Sequence, residues 1–173
     1  ATELRARVAV DDEGYVDNTG VVFDQPFLDL VAPVAAEAFG FERPDVVLTA
    51  ATDGITLGAA MGSYFDARVA YAKKSKETAV EEFIESRQRL ASGIELTYYL
   101  PARALSAGDR VLVVDDLIRS GETQELMLDI AAHADADLAG VFALIAVGDE
   151  GIDRARRRTD APVDALVALD DAP

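Results

Sequence analysis

Residues 111–123 read VLVVDDLIRSGET, and this stretch says more about the fold than any other part of the chain. Its first four residues are apolar and mostly β-branched, which is typical of a strand buried on both faces. Asp115 and Asp116 follow directly, and a Ser-Gly-Glu-Thr turn then leads into the amphipathic run 124–134, which predicts a helix. A strand, a short turn and a helix N-terminus together can bind a phosphate group.

The two aspartates predict a second feature of the ligand. Carboxylates repel phosphate, but their oxygens accept hydrogen bonds from hydroxyl groups. The stretch therefore indicates a ligand that carries both a sugar diol and a phosphate. The alternative is an ordinary strand, turn and helix with no ligand.

Length and composition favour one α/β domain over residues 1–173. The longest strongly apolar run, 141–147, is too short to cross a bilayer, and no basic-then-apolar leader opens the sequence. We therefore expect a cytoplasmic protein. Cysteine is absent, which excludes disulfides, a thiol nucleophile and thiolate metal sites.

The charge of the chain is strongly negative, with a formal net charge of −16. Such a surface disfavours binding to nucleic acid or to anionic membranes, and it is similar to the surfaces of salt-adapted proteins, so we expect a haloarchaeal source. Only three of the 16 basic residues are lysines, and these lie together as Lys73, Lys74 and Lys76. Compact ammonium groups suit phosphate oxygens, although a chance basic turn on the surface is the alternative.

Strand-like and helix-like segments alternate along the chain, which predicts a parallel sheet flanked by helices with ligands at the carboxyl ends of the strands. The stretch 77–90 is strongly charged and predicts a mobile segment or a marginal helix. The predicted strands are 45–50, 68–72, 94–100, 111–114, 140–147 and 163–169, and the predicted helices are 54–65, 124–134 and 151–158.

The stretch 111–123 resembles the phosphoribosyl-pyrophosphate (PRPP) motif of type I phosphoribosyltransferases, in which two acidic residues precede a Thr/Ser-Gly-x-Thr/Ser turn. The resemblance implies that Asp115 and Asp116 are the catalytic acidic pair, which holds the ribose hydroxyls. It also implies that the 5′-phosphate is bound by Arg119, Ser120, Gly121, Glu122 and Thr123.

Other segments extend this resemblance towards the adenine-type and archaeal hypoxanthine/guanine-type enzymes. Residues 20–24 resemble the hood over the nucleobase, which implies a small hood within 1–30. Residues 73–76 resemble the basic stretch that opens the flexible catalytic loop, which implies a flexible loop within 77–100. Thr52, Asp53 and Gly54 take the place of the pyrophosphate loop, and the lysine cluster 73–76 resembles a basic stretch that would also face pyrophosphate. Candidates for an apolar slot around the base, or else for ordinary core packing, are Val22, Phe23, Leu117 and Ile118.

The resemblance implies a purine phosphoribosyltransferase of purine salvage, which uses PRPP, a purine base and Mg²⁺ and forms a homodimer. The family usually has a basic residue where this chain has Asp53, so we hypothesise that Mg²⁺ bridges Asp53 and pyrophosphate. Arg119 replaces the aspartate that hypoxanthine/guanine enzymes use as a base. A PRPP- or nucleotide-sensing regulator with weak catalysis is therefore the alternative, and an orotate-type enzyme is a third possibility.

Overall fold

The computed structural model describes residues 2–90 and 92–170. A five-stranded sheet, parallel throughout, forms its centre. This confirms the predicted parallel α/β sheet. The five strands are β3 (Val46–Ala50), β4 (Arg68–Ala72), β7 (Arg110–Ile118), β8 (Asp137–Val147) and β9 (Val163–Leu169), and they lie in the order β4-β3-β7-β8-β9.

Helices cover both faces of the sheet and create two hydrophobic cores. One core packs α3 (Gln25–Phe39) and α4 (Gly54–Phe65) against the sheet. The other packs α5 (Glu122–His133) and α6 (Glu150–Arg156) against the opposite face. β3, β7 and β8 are buried on both faces, as their continuous apolar runs predict.

The central strand is longer than predicted. The sequence suggested that the two aspartates close the strand, but β7 continues beyond Asp115 and Asp116 to Ile118. Parallel pairing with β8 supports this extension, since Leu117 pairs with Ile145 and Ile118 with Ala146. The acidic pair is therefore held on a rigid strand.

Residues 83–89 form strand β5 (Phe83–Arg89), so the expected marginal helix is wrong there. β5 pairs antiparallel with β6 (Glu95–Pro101), and Ala91 between them lies outside the described residues. The polar face of β5 meets α5: Ser86 Oγ lies 3.3 Å from Asp129 Oδ2, and Gln88 Nε2 lies 3.3 Å from Glu125 Oε2. These tertiary contacts stabilise a strand whose charged sequence has only a weak intrinsic preference for strand structure.

The predicted hood contains several short elements before α3 begins. They are α1 (Thr2–Ala6), β1 (Ala9–Val10), β2 (Val16–Asp17) and α2 (Thr19–Val22). β1 and β2 form a small antiparallel hairpin that turns near Gly14. Among the described residues, no helix is both long and apolar enough to span a membrane.

Candidate active site

A cavity of about 260 Å³ opens at the carboxyl ends of β3 and β7. Because these parallel strands are neighbours, the segments that follow them meet at the same edge of the sheet. The cavity brings together seven residues that the sequence singled out, and adds Tyr98 from β6. Its lining includes Thr52, Asp53, Gly54, Tyr98, Asp115, Asp116, Leu117 and Thr123.

The acidic pair is fixed by amide donors from two other parts of the chain. Gln124 Nε2 donates to Asp115 Oδ2 at 2.6 Å, and Asn18 Nδ2 donates to Asp116 Oδ2 at 2.5 Å. Burial, followed by the negative charges of Asp116 and Asp53, raises the pKa of the Asp115 carboxyl well above its ordinary value. The pair therefore presents oriented oxygens to a ligand diol, and Asp115 binds a proton more readily than an ordinary aspartate.

The loop between β3 and α4 approaches the acidic pair so closely that only glycine fits at position 54. A Cβ atom there would lie 2.2 Å from Thr49 Oγ1 and 2.9 Å from Asp115 Oδ1. Asp53 precedes this glycine and faces the same cavity. The predicted pyrophosphate loop and the predicted diol site are thus in direct contact.

The predicted phosphate turn, Arg119–Thr123, packs its first residues against α6. Gly121 has a φ of 76°, and a Cβ atom on it would lie 2.8 Å from the Gly151 carbonyl oxygen. Arg154 Nη1 donates to the Ser120 carbonyl at 2.9 Å. Contacts with α6 therefore support the backbone of the turn. α5 begins directly after Gly121.

The side chains of this region point in different directions. The Arg119 guanidinium donates to the Gly14 carbonyl at 2.5 Å and so connects the end of β7 to the β1–β2 hairpin. Ser120 Oγ donates to Glu122 Oε2 at 3.0 Å. Burial raises the pKa of the Tyr98 hydroxyl, and the neighbouring Thr123 side chain partly opposes that rise.

The lysine cluster lies beside the cavity but outside its lining. Lys73 pairs with Glu77, and Lys76 Nζ lies 3.6 Å from Glu85 Oε2. Lys74 Nζ lies 5.8 Å from the ring centroid of Tyr98, a residue that does line the cavity. Among the described residues, Lys74 is thus the member of the cluster whose ammonium group lies near an aromatic ring of the cavity wall.

The four candidates for the base slot lie in different environments. Leu117 lines the cavity, whereas Ile118 is only 1% exposed and belongs to the core under α6. Of these two neighbours, only Leu117 lines the cavity. Val22 is buried and Phe23 is 79% exposed. Contact between a base and Val22 or Phe23 stays a prediction.

A family model described as "Phosphoribosyl transferase domain" matches residues 21–164. The chain belongs to this phosphoribosyltransferase family. The adenine phosphoribosyltransferase of Rhodothermus marinus shares its fold, with a TM-score of 0.83, 22% identity and coverage of 97% of both chains.

Curated relatives within the family include both enzymes and repressors. The chain is 29% identical over 141 residues to the purine biosynthesis transcriptional repressor PurR of Bacillus subtilis, and the matched region covers 81% of this chain and 49% of that protein. It is 26% identical over 150 residues to the xanthine phosphoribosyltransferase of Alkaliphilus metalliredigens, with coverage of 86% and 74%. It is 30% identical over 126 residues to the hypoxanthine/guanine phosphoribosyltransferase of Methanopyrus kandleri, with coverage of 73% and 64%. The chain thus spans about half the length of the PurR relative.

The donor set of the cavity suits a metal that arrives with its ligand. Within 2–90 and 92–170, no group of three or more His, Cys, Asp or Glu side chains is arranged to hold a metal ion. Mg²⁺ commonly takes one or two carboxylates and completes its shell with substrate phosphates and water. Asp53 in the cavity fits that partial role.

Sequence reasoning missed Asn18, Gln124, Tyr98 and Arg154. Asn18 lies 98 residues from its partner Asp116, so no local pattern connects the two. Gln124 begins the predicted helix, and its burial of 98% becomes visible only in the fold. The spacing between Arg154 and Ser120 likewise carries no local signal.

Proposed function

We propose that this chain transfers the phosphoribosyl group of PRPP to a ring nitrogen of a purine base and releases pyrophosphate. The observation that carries the proposal is the cavity at which the acidic pair, the tight loop 52–54 and Thr123 at the start of α5 meet. The names of the xanthine, hypoxanthine/guanine and adenine enzymes among its relatives support a purine as acceptor.

In the proposed reaction, the bond from C1 of the ribose to pyrophosphate oxygen breaks, and a bond from C1 to the base nitrogen forms. Asp115 and Asp116 accept hydrogen bonds from the two ribose hydroxyls and so fix the sugar. The backbone amides at the start of α5 and the Thr123 hydroxyl bind the 5′-phosphate. The proton of the attacking nitrogen leaves to solvent.

The leaving group would lie near the loop 52–54, and the ammonium group of Lys74, near Tyr98 in the cavity wall, would add positive charge. When bound with PRPP at Asp53, Mg²⁺ supplies positive charge to the departing diphosphate. The β5–β6 hairpin contributes Tyr98 to the cavity wall and would exclude water as its outer part closes.

The proposal also includes a homodimer in the cytoplasm of a salt-adapted organism. Homodimers are implied by the family resemblance, and the net charge of −16 supports adaptation to high salt. Sedimentation at low and at molar KCl tests both features together. A folded dimer that persists only at high salt is the expected result.

A second candidate function is a regulator that senses PRPP or a nucleotide without efficient turnover. The similarity to PurR favours it, as does the acidic Asp53 in the loop where a basic residue is expected. In this case the cavity binds PRPP but no base is converted.

A nucleotide-formation assay in high KCl with Mg²⁺ and PRPP distinguishes the two functions. Adenine, hypoxanthine, guanine, xanthine and orotate are offered separately, and the enzyme is expected to convert a purine. Product from orotate alone would refute the purine proposal. Binding of PRPP without product from any base would favour the regulator.

A further inference from the structure

The phosphate turn contains a carboxylate where an anion is expected to bind. The Ser120 hydroxyl donates to Glu122 Oε2 at 3.0 Å, and the Glu122 side chain is only 27% exposed. A hydroxyl group has one proton to donate, so Ser120 cannot serve this carboxylate and a phosphate at once. The negative charge of Glu122 also opposes a phosphate in the same turn.

Arg154 provides Glu122 with a second partner. Its Nη1 lies 3.8 Å from Glu122 Oε1 and also donates to the Ser120 carbonyl, while its Nε lies 3.5 Å from Glu125 Oε2. The Arg154 side chain is 26% exposed, so its charge is screened less than that of a fully exposed arginine. The carboxylate of Glu122 can therefore lose its hydrogen bond from Ser120 and remain paired with Arg154.

We propose that Glu122 competes with the 5′-phosphate of the ligand for the Ser120 hydroxyl, and that Arg154 reduces this penalty by pairing with the displaced carboxylate. The inference rests on the phosphoribosyl site proposed above. Its consequence is selectivity. The turn binds inorganic phosphate weakly and retains a phosphate only when the same molecule also reaches Asp115 and Asp116 through its hydroxyls.

The test is a calorimetric titration with ribose 5-phosphate and with inorganic phosphate. Glu122→Gln is expected to bind both about tenfold more tightly than the wild type, since one opposing charge is removed at a partly screened site. Arg154→Gln is expected to bind both more weakly. In the Glu122→Gln background the same arginine substitution should cost less, because the carboxylate that needs neutralising is gone.

Two results would overturn the inference. One is a Glu122→Gln affinity equal to or weaker than that of the wild type. The other is an equal loss from Arg154→Gln in both backgrounds, which would show that Arg154 acts only by supporting the turn. Measuring two ligands adds a further requirement, because the preference for ribose 5-phosphate over inorganic phosphate must persist in every variant that keeps Asp115 and Asp116.

Glu37→Gln is the matched control, since it makes the same chemical change on the exposed side of α3. α3 ends shortly before the start of β3, so Glu37 lies towards the edge of the sheet opposite to the cavity. The affinities of Glu37→Gln for both ligands should equal those of the wild type. A tenfold gain in affinity in this control would attribute the effect to net charge and overturn the inference.

These outcomes can be distinguished from a failure of the proposed function. Nucleotide formation without a gain in affinity in Glu122→Gln refutes the inference alone. The expected gain without nucleotide formation refutes the enzyme alone, and a chain that binds neither ligand refutes both.

Discussion

Substituting alanine for Gly54 should damage both the stability of the protein and its ligand site. The added Cβ would lie 2.2 Å from Thr49 Oγ1, and Thr49 is fully buried, so its hydroxyl cannot retreat far enough to restore an ordinary van der Waals distance. Overpacking of this kind costs about 1–3 kcal/mol of unfolding free energy. The same Cβ would lie 2.9 Å from Asp115 Oδ1, so it should also displace the carboxylate that is expected to hold the ribose.

Gly58→Ala is the matched control on the same helix. A Cβ there would lie 3.3 Å from Thr49 Cγ2 and 3.6 Å from Val69 Cγ1, which requires only a small adjustment. Alanine also gains up to about 1 kcal/mol over glycine in a helix interior, so the net change should be small. Gly58→Ala is therefore expected to unfold within about 1 kcal/mol of the wild type and to bind PRPP normally.

Urea unfolding and PRPP calorimetry measure the two effects separately. Gly54→Ala should lose stability and should bind PRPP about tenfold more weakly or worse, as expected for a disturbed hydrogen bond to a charged group. Adding Thr49→Ala removes the 2.2 Å clash and should restore part of the stability, while binding remains weak because the contact with Asp115 persists. A Gly54→Ala protein that matches Gly58→Ala in both assays would refute the reasoning.

Three further predictions concern the same cavity. The raised pKa of Asp115 means that the native state binds a proton that the unfolded chain has released, so stability should fall as pH rises from the ordinary aspartate pKa to the raised one. Asp115→Asn should remove that slope in urea unfolding between pH 4 and pH 9, and an unchanged slope would contradict the assignment. Lys74→Ala should weaken binding of pyrophosphate more than Lys73→Ala or Lys76→Ala, because the latter two lysines pair with glutamates; equal losses in calorimetry would show that the cluster acts only through net charge. Asp53→Asn should raise the Mg²⁺ concentration needed for half-maximal PRPP binding, and an unaltered Mg²⁺ titration would disprove the metal contact.

Much of the fold follows from local patterns in the sequence. The helix Gly54–Phe65 and the strands Arg68–Ala72 and Val163–Leu169 have the bounds that the sequence predicted. Each is a run of regular periodicity with a clear boundary. The β5 strand was not predicted, because its sequence FIESRQR is stabilised by pairing with β6 and by hydrogen bonds to α5. Such pairing depends on residues distant in sequence.

The candidate site likewise contains some residues that local patterns predict and others that they do not. Asp115, Asp116 and Thr123 lie in one local motif, and the structure brings them to the cavity that also contains Asp53 and Gly54. Side-chain directions could not be predicted in this way. Arg119 belongs to the same motif, yet its guanidinium reaches Gly14, 105 residues earlier in the chain.

Partners recruited from distant segments were also invisible in the sequence. Asn18 and Gln124 fix the two carboxylates, and Arg154 supports the turn from α6. Within the local sequence, each of these residues is typical of an exposed polar position. Their contacts with the site arise only because the fold brings the N-terminal segment, β7 and α6 together.

The most direct test of the central claim is a calorimetric titration of PRPP with Mg²⁺ against the wild type and against Asp115→Asn/Asp116→Asn. If the cavity at the ends of β3 and β7 is the PRPP site, the wild type binds one PRPP per chain and the double variant, still folded by circular dichroism, loses at least about tenfold in affinity. A double variant that binds PRPP as tightly as the wild type would contradict the account.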